Sequence, residues 1–251
     1  MATSTKVAYM TVEFKEVGFA PDFIDYNGAW NHQREVHDAV VAGTAVNTVL
    51  LLEHSAVYTA GKRTEDHERP FDGTPVINVD RGGKLTWHGP GQLVMYPIVR
   101  LKDAHGIRQY VTVLEDIIIE TLAAFGVDGV RVKGRAGIWL LADEKGPDRK
   151  IAAIGIRVHE GVTMHGIAIN ANNDLAPYAQ IIACGINDAG TTTIAAETGN
   201  NVTPTELAPV VIAATRRHLT PIITDSLPGE SHPEQELTGT REQRPVEGAS
   251  L

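Results

Sequence analysis

The single cysteine of the chain, Cys184, is the residue whose type most directly predicts covalent chemistry. It lies in the apolar stretch Ile181–Ile186, and a lone cysteine among apolar residues is usually an inert part of a core. Gly185 follows directly, however, and glycine permits a sharp turn that exposes the sulfur and leaves backbone N–H groups free to bind an oxyanion. The sequence therefore leaves two interpretations of Cys184 open, a nucleophile and a core residue.

Lys150 is the second candidate, because it opens the apolar strand predicted for Lys150–Val158. A lysine at the start of a strand is most often a solvated charge. Beside a thiol it would do more, since an ammonium favours the thiolate and a neutral amine could accept the thiol proton. A free cysteine has a pKa near 8.5, so only roughly a tenth is thiolate at neutral to slightly basic pH. A neighbouring cation would raise that fraction.

A glycine-rich stretch, Arg81–Ile98, contains four glycines, two prolines, a tryptophan and a histidine. The steps Gly82-Gly83 and Gly89-Pro90-Gly91 are typical of turns. Lys84–Trp87 and Leu93–Val99 read as strands, so the stretch predicts a hairpin whose backbone N–H groups can approach a ligand. An ordinary glycine-rich hairpin with an exposed histidine fits the same pattern. Neither a Walker phosphate loop nor a G-x-G-x-x-G motif occurs.

The histidines do not have the spacing of a metal site, because there is no H-E-x-x-H motif and no pair of cysteines. The sequence therefore predicts no metal. A Cys-His-Asp hydrolase stays possible, with His88 or His165 as the base.

The predicted strand Val162–Asn170 alternates small and large side chains. Gly166 and Ala168 share one face, which would leave a groove for a flexible apolar chain. The opposite face is predicted to carry His165, Ile167 and Ile169. Close packing of another backbone against the small residues explains the pattern equally well.

Hydrophobic periodicity predicts the elements that position these residues. Helices are predicted between Pro21 and Gly43, at Ile107–Phe125 and at Pro204–Leu219. Further strands are predicted at Lys6–Phe14, Asn47–Glu53, Val57–Thr59, Pro75–Val79, Val130–Val132 and Ile138–Leu141. Asn47–Glu53 is continuously apolar, as in a strand buried on both faces, and Val57–Thr59 is predicted to extend it or pair with it. Lys150–Val158 and Val162–Asn170 are predicted to form a hairpin.

Length and composition predict one domain over residues 1–220, followed by a disordered, acidic tail over 221–251. Of the 251 residues, 43% are hydrophobic, which suffices for a sizeable core. The tail has no aromatic residue and buries too little to offset its ordering entropy. No apolar run approaches the roughly 20 residues of a membrane span, and no signal peptide is apparent. With a single cysteine, these features predict a cytoplasmic protein without membrane attachment.

Charge is distributed unevenly along the chain. The net charge of −9 argues against nucleic acid as the main partner. From Arg81 to Arg157, however, 12 Lys and Arg stand against 8 Asp and Glu, a net charge of +4. A basic middle in an acidic protein suits an acidic partner that docks near the site, although ordinary variation in surface charge would also produce it.

Taken together, the motifs resemble those of the lipoyl(octanoyl) transferases, and they occur in the order of that family. The blocks are Leu50–His54 with Val57–Thr59, Arg81–Gln92 with Tyr96–Ile98, Gly137–Trp139, Lys150–Gly155, His165–Asn170 and Ala183–Ile186. Two departures are visible: Ala183 replaces an expected proline, and Ala60-Gly-Lys replaces a usual Leu-Gly-Arg.

The resemblance implies an α+β fold of the biotin/lipoate-ligase type, with a large mixed β-sheet, a smaller sheet and flanking helices. It implies transfer of an octanoyl group from octanoyl-acyl carrier protein to a lysine of a lipoyl domain, without metal or cofactor. The acceptors would be the lipoyl domains of 2-oxoacid dehydrogenase complexes and the glycine cleavage H protein.

The resemblance also assigns residues to this reaction. Cys184 would carry the acyl group as a thioester, and Lys150 would lower the pKa of its thiol. The acyl site would be lined by Arg81, Gly82, Gly83, Lys84, Leu85, Thr86, Trp87, His88, Ala153, Ile154, Gly155, Gly166, Ile167 and Ala168. Two alternatives stay open: an ATP-dependent lipoate or biotin ligase, which adenylates a free acid, and a non-catalytic acyl-binding module.

Overall fold

An eight-stranded mixed β-sheet and a separate three-stranded sheet carry the fold. The computed structural model describes residues 12–71, 73–181 and 189–227. The strands are β1 (Val12–Gly18), β2 (Asn47–Leu52), β3 (Val57–Ala60), β4 (Val76–Asn78), β5 (Leu85–His88), β6 (Gln92–Ile98), β7 (Val130–Val132), β8 (Arg135–Leu140), β9 (Arg149–His159), β10 (Val162–Asn170) and β11 (Gly190–Thr191). The large sheet has the order β1-β2-β6-β10-β9-β8-β7, with β11 paired to β9, and the small sheet has the order β4-β3-β5.

Helices cover both faces of the large sheet. The helices are α1 (Tyr26–Val41), α2 (Ile107–Ala124), α3 (Ile194–Thr198) and α4 (Pro204–Leu219). Short 3-10 helices occupy Asp66–Glu68, Ala176–Gln180 and Thr220–Ile222. Helices α2 and α4 share the larger hydrophobic core with the inner strands, and α1 packs on the opposite face. The predictions of α2, α4, the buried strand β2 and the β9–β10 hairpin are confirmed.

The helix ends have identifiable caps. Asp25 caps α1 by accepting a hydrogen bond from the Gly28 N–H, and Thr203 forms a capping box with Glu206 at the start of α4. The buried guanidinium of Arg100 donates to the carbonyls of Val40 and Val41 at the last turn of α1. This contact satisfies carbonyls that have no partner inside the helix.

The prediction that the glycine-rich stretch is a hairpin is wrong. Strand β5 pairs with β3 in the small sheet, whereas β6 lies between β2 and β10 in the large sheet. The turn at Gly89–Gly91 therefore carries the chain from one sheet to the other. Gly91 has φ +85°, and a Cβ atom there would lie 2.6 Å from the Asn173 nitrogen. The buried Glu53 carboxylate holds the turn by accepting the Gly91 N–H at 2.6 Å.

Strand β3 also differs from its prediction. It neither extends β2 nor pairs with it, but forms the centre of the small sheet between β4 and β5. Between the two strands, His54 forms an isolated bridge with Ile24 at the start of α1. The chain therefore leaves the large sheet after Leu52.

The alternation predicted along β10 is broken at one residue. His165 has φ +56°, a left-handed conformation that is uncommon for a histidine. Its side chain contacts Trp30 of α1 and Tyr96, on the face of Ala168, rather than joining Ile167 and Ile169 among the helices α2 and α4. The prediction that His165 shares the face of Ile167 is therefore wrong.

The two ends of the chain are described only in part. Of the predicted strand at residues 6–14, the first six residues lie outside the described part, and the strand continues to Gly18. Residues 221–227 pack on the domain, where Ile223 is buried and bridges to Leu101, so the ordered fold extends beyond the predicted boundary at residue 220. The tail at 228–251 lies outside the described residues and stays a prediction. Among the described helices none has the length and apolar character needed to cross a membrane.

Candidate active site

A cavity of about 330 Å³ lies between α1, the small sheet and strands β9 and β10. Its lining brings together parts of the chain that are far apart in sequence: Tyr26, Arg63, the Arg81–His88 segment, Tyr96, the turn at Gly134–Ala136, and residues of β9 and β10. A second cavity of about 280 Å³ shares Thr86, Lys150, Ala153 and Ala168 with the first. The shared residues make the two cavities neighbours along one groove.

Most of the predicted acyl-site residues line the first cavity. These are Arg81, Gly83, Lys84, Thr86, His88, Ala153, Ile154, Gly155, Gly166, Ile167 and Ala168. Three do not. Leu85 and Trp87 lie on the other face of β5, where they pack with Tyr58 in the core of the small sheet. Gly82 is fixed by its N–H, which donates to the Ile156 carbonyl at 2.9 Å.

Arg81 organises the inner wall of the cavity. Its guanidinium donates to the Thr59 carbonyl and hydroxyl and to the carbonyls of Gly82 and Lys84, at 2.8 to 3.0 Å. A Cβ atom on Gly155 would lie 2.9 Å from Arg81 Cδ. Because four hydrogen bonds hold this side chain, it cannot easily move aside. A glycine at position 155 therefore lets β9 pass under the arginine.

The two small residues of β10 play different parts. A Cβ atom on Gly166 would lie 2.2 Å from the Met95 carbonyl oxygen, so this glycine permits close approach of β6. Ala168 is buried and lines both cavities. Both explanations of the small-residue pattern therefore apply at Gly166, which allows close backbone packing and also lines the first cavity, whereas Ala168 fits the open groove.

Lys150 lies where the two cavities meet. Its side chain is half-buried, and its Nζ atom is 5.0 Å from the centroid of the Trp139 ring. Cys184 lies outside the described residues. Ile181 and Ala189, the described residues on either side of it, both line the second cavity together with Lys150.

A buried polar cluster behind the cavity was not predicted from the sequence. The His54 Nδ1–H donates to the Ile24 carbonyl at 2.9 Å, and its Nε2 accepts the Tyr96 hydroxyl at 2.7 Å. The His88 Nδ1–H donates to the Gln92 side-chain oxygen at 2.7 Å, while the Gln92 amide nitrogen donates to Asn170. The sequence signal was available, because His54 follows a continuously apolar strand directly.

Burial sets the protonation of this cluster. It lowers the pKa of His54 to about 4, against a smaller raising effect of the Ile24 carbonyl. Burial also lowers the pKa of His88 to about 3, and neighbouring His54 and Arg81 add to that effect. Burial raises the pKa of Tyr96 well above its ordinary value. The cluster therefore stays uncharged at neutral pH.

His165 forms a second polar group at the cavity wall. Its Nε2 lies 2.8 Å from Asp80, which also pairs with Arg157. The hydrogen bond from His165 is the largest of the effects that hold the pKa of Asp80 far below its usual range. Burial lowers the pKa of His165 itself. The backbone N–H of His165 donates to Gln33 at 2.9 Å, which ties its unusual backbone conformation to α1.

Comparison with solved structures defines the class of fold. A bipartite lipoate protein ligase from Thermoplasma acidophilum, studied with its E2 lipoyl domain, superposes with a TM-score of 0.61 over 84% of each chain. Its sequence is 12% identical, so the likeness concerns the fold alone. The large mixed sheet, the smaller sheet and the flanking helices confirm the predicted α+β architecture.

Comparison with known sequences defines the family. A model of the lipoyl protein ligase A/B catalytic domain matches residues 25–216. An octanoyltransferase of Renibacterium salmoninarum is 70% identical over 203 residues, which are 81% of this chain and 87% of the relative. An octanoyltransferase of an Arthrobacter species is 66% identical over 209 residues, 83% of this chain and 94% of the relative. The chain therefore belongs to the octanoyltransferases of the lipoyl protein ligase A/B catalytic-domain family.

Proposed function

We propose that this protein transfers an octanoyl group from octanoyl-acyl carrier protein to a lysine of lipoyl domains, as a step of lipoate biosynthesis. The identity of 70% to a named octanoyltransferase carries this proposal. The acceptors would be lipoyl domains of 2-oxoacid dehydrogenase complexes and the glycine cleavage H protein, and the reaction would take place in the cytoplasm.

The groove supports an apolar acyl chain as the transferred group. Ala153 and Ala168 give it small side chains at its centre, and Val94 and Ile154 add apolar surface in the first cavity. The predicted site residues that line this cavity are proposed to contact the chain. Leu85 and Trp87 would act indirectly. They pack in the core of the small sheet, whose other face presents Thr86 and His88 to the cavity.

The proposed covalent step uses Cys184 and Lys150. The Cys184 thiolate attacks the carbonyl carbon of the carrier thioester and a new thioester forms. The carrier leaves as its thiolate, which takes a proton from solvent. The neutral amine of the acceptor lysine then attacks the enzyme thioester, an amide forms, Cys184 departs as thiolate, and the proton of the amine passes to solvent. The first step exchanges one thioester for another and is nearly thermoneutral, whereas amide formation is downhill. Sequential use of one site by two protein partners predicts ping-pong kinetics.

The described residues on either side of Cys184 support this pairing. Ile181 and Ala189 both line the cavity that Lys150 also lines. Cys184 lies between them in the sequence, three residues after Ile181 and five before Ala189.

The charge of the groove supports an anionic donor. Among the described residues that line the two cavities there are five Arg and Lys side chains and no carboxylate. Lys84 is neutralised by Glu68 and Glu65, at 2.5 and 3.1 Å. Arg63 is exposed, and its backbone N–H donates to the Gly83 carbonyl at 3.1 Å. Arg135 follows the β7–β8 turn, and its guanidinium lies 3.6 Å from the Asp148 carboxylate, a longer separation than those of Lys84 from its two partners. We propose that these two arginines receive the phosphodiester of the carrier arm.

A transfer assay tests the proposed function. Purified protein, octanoyl-acyl carrier protein and a lipoyl domain are mixed without ATP, and the acceptor is analysed by intact mass. We expect the lipoyl domain to gain one octanoyl group. A gain that requires ATP and free octanoate would identify an adenylating ligase instead. Binding of the donor without any transfer would identify an acyl-binding module.

A further inference from the structure

The side chain of Lys150 is held by the strand next to its own. In the antiparallel pair β8–β9, Trp139 lies directly opposite Lys150, and a register irregularity between Ile138 and Trp139 precedes this pair. Trp139 is only 1% exposed. The Lys150 Nζ atom lies 5.0 Å from the centroid of its ring, which is within the distance at which an ammonium is attracted by an aromatic face.

Gly137 gives the lysine side chain room to reach this ring. Its φ of +93° is a conformation that residues with a Cβ atom rarely adopt. A Cβ atom at this position would lie 3.2 Å from Lys150 Cε and 2.2 Å from the Ala152 carbonyl oxygen. The glycine therefore serves the passage of both the neighbouring backbone and the lysine side chain.

The Trp139 ring contacts a second cation. The Arg135 guanidinium carbon lies 5.3 Å from the same ring centroid. The indole N–H is buried and has no hydrogen-bond partner among the described residues. A buried N–H without a partner carries a free-energy cost, so hydrogen bonding does not explain why a tryptophan occupies this position. The contact of its ring with two cations does explain it.

We propose that Trp139 is a positioning residue, whose aromatic face holds the side chain of Lys150 at the junction of the two cavities. This inference rests on the proposed function for its consequence, since a fixed ammonium at that point is what a thiolate nucleophile requires. The contact itself is made by Trp139 and Lys150, and Gly137 gives it room.

Fluorinated tryptophans test the contact without removing the ring. Each fluorine withdraws electron density from the face and weakens its attraction for a cation, while the shape of the side chain changes little. Tryptophan or its mono-, di- and trifluoro analogues are placed at position 139 by site-specific incorporation. Lys150 is then labelled with a limiting amount of an amine-reactive acetylating reagent, which attacks only neutral amines. Exposed Lys133 is the internal reference, and thermal unfolding checks that each variant is folded.

We expect acetylation of Lys150, relative to Lys133, to rise with each fluorine, by between about two-fold and thirty-fold across the series. The turnover number should fall in the same order, and Trp139→Phe should lie between tryptophan and Trp139→Leu. Labelling that is independent of fluorination in folded protein would overturn the inference. Graded labelling with unchanged turnover would instead leave the contact in place and contradict the use of Lys150 in the proposed reaction.

Discussion

Acid should destabilise this protein in a pH range where its carboxylates do not yet titrate. His54 and His88 are buried and neutral, with pKa values of about 4 and about 3 against an ordinary value of 6.5. Below pH 6.5 the unfolded chain binds protons at these histidines and the folded protein does not. Stability therefore falls as the pH falls, until the folded pKa values are reached.

The size of the effect follows from these values. Between pH 6.5 and pH 5, each histidine lowers the free energy of unfolding by about 1.6 kcal/mol, so the two together contribute about 3 kcal/mol. This is a large share of the 5–15 kcal/mol that is usual for a whole protein. His165, whose pKa burial also lowers, acts in the same direction. The carboxylates with lowered pKa values, such as Asp80 and Glu197, stay ionised throughout this range and add their losses only at lower pH.

Urea unfolding measured at half-unit steps from pH 7 to pH 5 checks this prediction. His54→Asn keeps a donor for the Ile24 carbonyl but does not titrate. The slope of its free energy of unfolding against pH should therefore be smaller than that of the wild type, by about the 1.4 kcal/mol per pH unit that one bound proton contributes. His105→Gln is the matched control, because it replaces a histidine whose side chain is 99% exposed. A free energy of unfolding that is flat between pH 6.5 and pH 5 in the wild type would refute the assignment of these histidines as buried and neutral.

Three further predictions concern the groove, its mouth and the end of the chain. Ala168→Leu adds bulk at the centre of the groove, at an overpacking cost of about 1–3 kcal/mol. It should lower the ratio of kcat/KM for an octanoyl donor to kcat/KM for a four-carbon donor. An unchanged ratio in folded protein would mean that this face of β10 does not contact the acyl chain. Replacing Arg63 and Arg135 together by Gln should reduce the preference for octanoyl-4′-phosphopantetheine over octanoyl-pantetheine by about ten-fold or more, as expected for lost hydrogen bonds to a charged group. Arg108→Gln, on the exposed side of α2, should leave this preference unchanged. An equal preference in the wild type and the double variant would argue against a phosphate site. Deleting residues 228–251 should leave turnover and thermal stability unchanged, and a large fall in turnover at unchanged stability would assign the tail a part in the reaction.

Local sequence patterns were sufficient to predict the elements whose buried residues can be recognised from the neighbouring sequence alone. β2 ends in four consecutive apolar residues and is buried throughout, and α2 repeats its apolar residues at helical spacing. The β9–β10 hairpin has the turn sequence His159-Glu160-Gly161 between its two strands. These features need no knowledge of the rest of the molecule.

The errors all concern contacts between distant parts of the chain. The Gly89–Gly91 turn looks like a hairpin turn, and only the pairing of its flanking strands with β3 and β2 shows that it connects two sheets. The backbone of His165 leaves the strand conformation at a point where Gln33 accepts its N–H and Asp80 contacts its side chain, both from other elements. Alternation along one strand carries no information about either partner.

The site was predicted through its motifs, and the structure separates two kinds of residue within them. Thr86 and His88 face the cavity, while Leu85 and Trp87, their neighbours in β5, support it from behind. Strand geometry alone fixes this division, but which side of β5 faces the cavity depends on where the small sheet lies.

Intact mass spectrometry after mixing with octanoyl-acyl carrier protein tests the central claim, that Cys184 carries the acyl group, most directly. Wild-type protein should gain the mass of one octanoyl group and lose it when a lipoyl domain is added. Cys184→Ala should gain nothing, with its thermal unfolding confirming that it is folded. An octanoyl adduct on Cys184→Ala, or transfer by that variant at the wild-type rate, would contradict the thioester mechanism.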